Sequence, residues 1–246
     1  AVAAPNSIGG CLAFLGIGMA GGRSTPVNVV AGATVMSYVL SHSQTRFLIC
    51  DDQCRDDVQK AIAERQGASH DVVVFPLDRI NGLKVPVDAS GSNLPALSAS
   101  HPALLMYTSG TTGNPKGVVL SHSNMIAAGN NVAIAHDISQ DDTGLCVLPI
   151  YHINAMCVSV MGTLVSASEL VMPYKFSNQQ FWQQLYDHHC SWFSAVPTLF
   201  AYMLNNEDVP PLRKDRLRFA RSASAPLPPE THRNFETRFG IPIIET

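Results

Sequence analysis

The residues best equipped for chemistry stand together at positions 107 to 117, in the order Tyr-Thr-Ser-Gly-Thr-Thr-Gly-Asn-Pro-Lys-Gly. Gly110, Gly113 and Gly117 free the backbone for positive φ and for close approach to a ligand. Thr108, Ser109, Thr111 and Thr112 add hydroxyl donors, and the N–H groups of such a loop can form an anion-binding concavity. Pro115 stiffens the exit, and Lys116 brings a compact positive charge on a flexible stem. At about 4 Å and an effective dielectric near 20, that charge is worth roughly 4 kcal/mol against one phosphate charge. Together these are the parts of a phosphate grip. The P-loop pattern G-x-x-x-x-G-K-[ST] does not fit, because Pro115 stands at its second glycine and Gly117 at its magnesium-binding hydroxyl. A surface loop with a solvated lysine is the alternative that composition leaves open.

Other clusters promise less. Cys11, Cys50, Cys54, Cys146, Cys157 and Cys190 are scattered, mostly in apolar runs, and only Cys50 and Cys54 are close. Their spacing is neither that of a zinc knuckle nor that of a redox pair, so buried free thiols in a reducing compartment are expected. His188, His189 and Cys190 are adjacent and cannot all face one ion from one helix or turn, and no metal site is expected. Arg213, Lys214, Arg216, Arg218 and Arg221 surround one acid, Asp215, and read as a solvated face, with contact to an anionic ligand as the lesser alternative. A net charge of −3 makes no electrostatic case for nucleic acid or an anionic membrane as main partner. Ile8 to Ala20 is too short and glycine-rich to span a bilayer, so no integral membrane segment is expected and cytoplasmic is the default location.

The elements that must position the loop follow from patterning. A chain of 246 residues, 46% hydrophobic and 14% charged, is globular and long enough for one to two domains. Ser7 to Ala20 predicts a helix capped by Asn6 or Ser7 and stopped by Gly21-Gly22. Phe47 to Cys50 and Val72 to Phe75 predict buried strands, with a helix from Asp51 to Gln66 between them. The Pro-, Ser- and Gly-rich stretch 78–102 reads as a junction between subdomains 1–98 and 103–246. Ala103 to Tyr107 is a strand entering the loop, Val118 to Leu120 resumes extended structure, and Ser121 or Ser123 caps a helix to about Ala135. Short strands at 145–148, 170–172, 192–195, 219–223 and 243–244 alternate with helices near 154–166, 177–188, 197–205 and 228–239. Such alternation implies an α/β fold, mainly parallel sheets flanked by helices, with ligands gathered at the carboxyl ends of the strands.

Residues 107 to 117 also match the signature of the adenylate-forming superfamily, which includes acyl- and aryl-CoA synthetases, peptide-synthetase adenylation domains and firefly luciferase. Further matches run in the family's order. Ala1 to Val29 resembles a segment near the family's start, and Leu148-Pro-Ile-Tyr-His152 resembles its proline-aromatic-histidine step. Ala223-Ser-Ala-Pro-Leu227 resembles the small-residue strand end that backs the adenine. Glu245-Thr246 resembles the beginning of the tyrosine-glycine-x-threonine-glutamate segment. The family's later motifs are not in these residues, nor is its mobile C-terminal domain, so the resemblance implies an incomplete N-terminal AMP-binding domain clipped at both ends.

The resemblance implies a two-step ligase using ATP, Mg²⁺ and coenzyme A. A carboxylate attacks the α-phosphate to give an acyl-adenylate, and a thiol then displaces AMP. Thr108, Ser109, Gly110, Thr111, Thr112, Gly113 and Lys116 would hold phosphates, and Ala223, Ser224, Ala225, Glu245 and Thr246 the nucleoside. Lys175 would contact coenzyme A. His152 would orient the carboxylate, with Asn154 and Ser194 lining the acyl pocket. Lys116 and His152 are the candidate catalytic residues, and the resemblance admits a homodimer. No acid occurs between Gly144 and Ser168, which disfavours an amino-acid substrate because a buried ammonium needs a partner. Sparse aromatic residues tilt the reading toward aliphatic, fatty or dicarboxylic acyl groups. A non-catalytic nucleotide-binding fragment and a domain loading a carrier-protein thiol stay open. A doubly wound oxidoreductase is weak, since no G-x-G-x-x-G follows an early strand.

Overall fold

Short apolar runs bounded by turns become the strands of two parallel sheets, each in its own compact unit: Ala1–Met125 and Ile126–Thr246. The computed structural model describes residues 1–65, 70–78, 94–108, 115–211 and 216–246. Much of the junction read at 78–102, and Ser109 to Asn114 of the phosphate-grip motif, lie outside the described residues.

In the first unit, β1 (Val2–Ala3), β2 (Phe47–Cys50) and β3 (Val73–Pro76) pair in parallel in that order. The helix Ile8–Met19 begins where the Ser7 hydroxyl accepts the Gly10 N–H at 3.0 Å, and the chain turns left-handed just past it at Gly21, φ 81°. A further helix, Ala33–His42, has no counterpart in the sequence reading; its Met36 and Leu40 pack with Ala3, Leu48 and Cys50 in the core.

The phosphate-grip motif sits on a different scaffold from the one expected. β4 (Pro102–Thr108) and β5 (Lys116–Ser121) form an antiparallel hairpin, with Tyr107 opposite Gly117 and Thr108 opposite Lys116. The run between the two strands is shorter than the dozen or so residues a parallel crossover needs, so they return antiparallel. Gly117 is therefore extended rather than left-handed. Its lack of a side chain matters because a Cβ there would meet Leu105 Cδ1 at 2.9 Å. β5 runs into the helix His122–Ala135, whose start is closed reciprocally. Ser121 Oγ accepts the Asn124 N–H at 3.2 Å, and Asn124 Oδ1 accepts the Ser121 N–H at 3.0 Å.

In the second unit, β6 (Thr143–Cys146), β7 (Glu169–Val171), β8 (Trp192–Ala195), β9 (Phe219–Ser222) and β10 (Ile243–Glu245) make a parallel sheet ordered β10-β9-β8-β6-β7. On one face Leu145, Phe193, Ala220 and Ile243 meet Phe181, Trp182, Phe200, Phe235 and Phe239 from the flanking helices. On the other, Trp192 and Phe219 stack at 5.9 Å and pack with Ile138 and Val158. The expected helix at 154–166 is divided: Asn154–Val160 is a fully buried π-helix and Met161–Ser166 an α-helix. π-turns of this kind often mark functional positions.

The basic cluster is described only in part, and its exposed Arg218 also pairs with a buried acid. Arg213, Lys214 and Asp215 lie outside the described residues, while Arg218 Nη1 reaches both oxygens of Asp142, at 2.7 and 2.8 Å. Burial alone would raise the Asp142 pKa, but the Ser139 N–H, the Ser191 hydroxyl and Arg218 outweigh it and hold the carboxyl below its ordinary range. Arg221 also turns inward, into the second unit's polar cluster. The six cysteines are free thiols, all but Cys11 buried.

Candidate active site

At the carboxyl ends of β8, β9 and β10 the chain folds its small-residue segment into a tight platform. The Ala223 N–H donates to the Ala195 carbonyl at 3.2 Å, continuing the ladder one residue beyond β9. Ser224 then turns left-handed, φ 75°, an arrangement costly for a residue with a Cβ and found mostly where function demands it. The Leu227 N–H is held by Glu245 Oε1 at 2.9 Å, and the Thr246 N–H donates to the Ser222 carbonyl at 3.0 Å. The segment 223–227 and the pair Glu245-Thr246, read separately in the sequence, thus meet in space. Ala225 lies exposed between them.

Beside this platform is a polar cluster under the start of the π-helix. Ser194 Oγ donates to Asn154 Oδ1 at 2.9 Å, and Asn154 Nδ2 reaches Ser224 Oγ at 3.5 Å. Asn154 and Ser194 are buried, so their mutual bond is what makes polar side chains tolerable there. Parallel register sets Cys146, Ser194, Arg221 and Ile244 in one row across the sheet. Arg221 Nη1 lies 3.4 Å from both Asn154 Oδ1 and Ser194 Oγ. Sequence reasoning named this residue only within a charge run read chiefly as a solvated face. The available signal was a cation inside a strand of a parallel sheet, where both faces are covered.

His152 precedes the cluster in the turn between β6 and the π-helix, not at a strand end. Its N–H donates to the Pro149 carbonyl at 2.9 Å, and its carbonyl accepts the Met156 N–H at 3.1 Å. The ring packs against Tyr151, centroids 4.8 Å apart. It keeps an exposed edge, while partial burial lowers its pKa and favours the neutral imidazole. Lys175 is exposed in the loop after the edge strand β7.

In the first unit, Thr108 and Lys116 close the hairpin and are both exposed, with Thr108 Oγ1 3.5 Å from the Lys116 carbonyl. Ser109, Gly110, Thr111, Thr112 and Gly113 lie outside the described residues. Tyr107 anchors β4: its hydroxyl is 2.8 Å from His42 Nδ1, and burial raises its pKa to about 12. His42 was not foreseen, because it lies on the helix the sequence reading lacked.

The second unit is a parallel α/β layer with a polar cluster at the carboxyl ends of its strands, the usual ligand-binding position in such sheets. The whole chain, residues 1–246, matches the family described as AMP-binding enzyme, and the chain belongs to that family. It is 40% identical over 237 residues to a Sulfoacetate–CoA ligase of Cupriavidus necator, covering 90% of this chain and 43% of the relative. It is 29% identical to an Oxalate–CoA ligase of Arabidopsis thaliana, covering 98% of this chain and 48% of that one. The chain thus spans about half the length of these curated relatives. Its fold is that of ATP-bound MatB from Rhodopseudomonas palustris, with TM-score 0.82 at 24% identity over 99% of this chain and 48% of the other. The N-terminal domain of FACL13 from Mycobacterium tuberculosis gives TM-score 0.84 at 20% identity over 99% of this chain and 60% of the other.

Proposed function

We propose that the protein to which this chain belongs is an ATP-dependent acid–thiol ligase that makes an acyl-adenylate and passes the acyl group to coenzyme A. The observation that carries this reading is the platform at 223–227 clamped by Glu245, set beside the Asn154–Ser194 cluster in a chain 40% identical to a CoA ligase. In the first step a carboxylate oxygen bonds to the α-phosphorus and the bond to pyrophosphate breaks. In the second, the thiol loses its proton, its sulfur bonds to the acyl carbon, and AMP leaves.

The chain's own residues supply positioning and charge. Lys116 neutralises phosphate charge that departs with pyrophosphate, and the exposed hydroxyl of Thr108 stands beside it in register. Ala223, Ser224 and Ala225 back the adenine, with Glu245 and Thr246 fixing that platform. His152, kept neutral by burial, orients the carboxylate by hydrogen bonding, and Lys175 steers the coenzyme A nucleotide. Magnesium, when bound with the triphosphate, would supply charge neutralisation for the pyrophosphate leaving group. Among the described residues no three His, Cys, Asp or Glu side chains group to hold a metal.

No described helix is long and apolar enough to cross a membrane. We expect a cytoplasmic enzyme, where ATP and coenzyme A are at hand, and a homodimer is open to test by light scattering. The test of function is pyrophosphate exchange, then thioester formation, by the full-length protein with sulfoacetate, oxalate, dicarboxylic acids and fatty acids. Exchange with at least one acid and a coenzyme A thioester as product are expected. Failure of every acid to drive exchange would overturn the reading, and transfer only to a carrier-protein thiol would reassign the acceptor.

A further inference from the structure

Arg221 is a cation placed where nothing on the described chain balances it. Its Nε is buried without a hydrogen-bond partner, and its Nη1 makes only two contacts, both 3.4 Å, to the neutral oxygens of Asn154 and Ser194. At that length they are weak. A guanidinium carries five N–H donors and is charged at any physiological pH. Among the described residues no carboxylate forms an ion pair with it, whereas Arg218, three residues earlier, reaches both oxygens of Asp142. The other neighbours are neutral or repelling. Ser224 Oγ lies against Asn154, and His136 has its pKa lowered by burial and by the charges of Arg221 and Arg218. A cation drawn from water into such a place is costly unless an anion joins it.

We propose that Arg221 is a subsite for a second anionic group on the acid substrate, a carboxylate or a sulfonate that stays charged while the first carboxylate is activated. The proposal rests on the ligase reading and names its substrate class. Its place fits: Arg221 shares a row with Ser194 across the sheet, at the strand ends where ligands gather. Its planar fork matches two oxygens of one oxyanion, and the Ser194 hydroxyl and the Asn154 amide are at hand for the rest. An unsubstituted hydrocarbon tail would instead cover the guanidinium and leave it unpaired.

The test uses the full-length protein with sulfoacetate and malonate against propionate and butyrate, in wild type, Arg221→Met and Arg221→Lys. Wild type should favour the doubly anionic acids in kcat/KM by about 10- to 100-fold, the worth of a charge-assisted contact. Methionine, which keeps the stem's bulk, should bring that ratio close to one, chiefly through KM, because a remote contact binds ground and transition states alike. Lysine should recover part of it, and sulfoacetate against malonate tells which anion the fork prefers. An unchanged ratio in Arg221→Met, or a wild type that favours the monocarboxylic acids, overturns the proposal. If no acid supports exchange, the ligase reading fails by itself. Titration calorimetry with sulfoacetate then judges Arg221: binding lost in Arg221→Met upholds the anion subsite, and no wild-type binding sinks it.

Discussion

Replacing Arg218 with methionine should destabilise the second unit and leave a pH signature that identifies the cause. Asp142 has a side chain only 6% exposed and depends on Arg218, the Ser139 N–H at 2.9 Å and the Ser191 hydroxyl at 2.7 Å. Removing one partner of a buried ion pair costs about 3–5 kcal/mol. The Arg218 side chain is 37% exposed, so solvent screening reduces this to about 2–3 kcal/mol. Its bonds to the His136 and Asp137 carbonyls, at 3.0 and 2.9 Å, are lost as well. For a unit of this size the change is a fall of about 5–10 °C in Tm.

The sign with pH follows from linkage. In wild type the Asp142 pKa is depressed, so its contribution is present at neutral pH and is lost as pH falls through the folded pKa. In Arg218→Met burial pushes the carboxyl up, so the deficit is greatest near pH 7. It shrinks as pH falls through the variant's raised pKa and levels off only below the depressed wild-type pKa, where the carboxyl is neutral in both proteins. Urea unfolding followed by tryptophan fluorescence is apt, because Trp182 and Trp192 both lie in this unit. A loss under about 0.5 kcal/mol, or an equal loss at pH 4 and pH 7, would refute the reasoning.

Three further outcomes are expected. Lys116→Ala should slow adenylate formation about 10²- to 10³-fold, the usual effect of removing a charge used in the transition state, while sparing the fold because Lys116 is exposed; pyrophosphate-exchange rates within threefold of wild type would end its assignment. His152→Ala should lower turnover with ATP affinity near wild type, and turnover that stays normal while ATP binding weakens would move His152 to the nucleotide site. Ser224→Gly should relieve the left-handed backbone at φ 75° and stabilise the unit by up to about 1 kcal/mol. A loss of that size in thermal unfolding would mean that the hydroxyl's contact with Asn154 outweighs the strain.

What the sequence disclosed, and what it hid, divides along physical lines. Strands at 47–50 and 192–195 are apolar or small-residue runs, and the first helix carries its cap and its stop, so local chemistry announced them. The helix Ala33–His42 begins at Gly32 with no side-chain cap, and it is rich in β-branched residues and serine, so only its packed face betrays it. The π-helix at 154–160 differs from an α-helix by one residue of hydrogen-bond spacing, which no side-chain pattern encodes. The antiparallel hairpin was legible in principle, since the run between β4 and β5 is too short for a crossover. The platform was half legible: its residues could be named, but the bond from the Leu227 N–H to Glu245 joins positions that only the sheet order brings together.

The two arginines of β9 and its approach show why charge runs mislead. Arg218 and Arg221 fall in one charge run, yet alternation along a strand sends side chains to different places. Phe219 stacks on Trp192 at 5.9 Å, and Ala220 joins the opposite face with Phe193. Arg218, just before the strand, finds Asp142 and becomes a structural tie between the starts of β6 and β9. Arg221, inside the strand, finds only neutral oxygens at 3.4 Å. The residue type is the same, but Arg221 is the less exposed of the two and its partner differs. A chain that satisfies one arginine with two carboxylate oxygens has the means to satisfy another three residues on. The partner of Arg221 is therefore to be sought in the ligand.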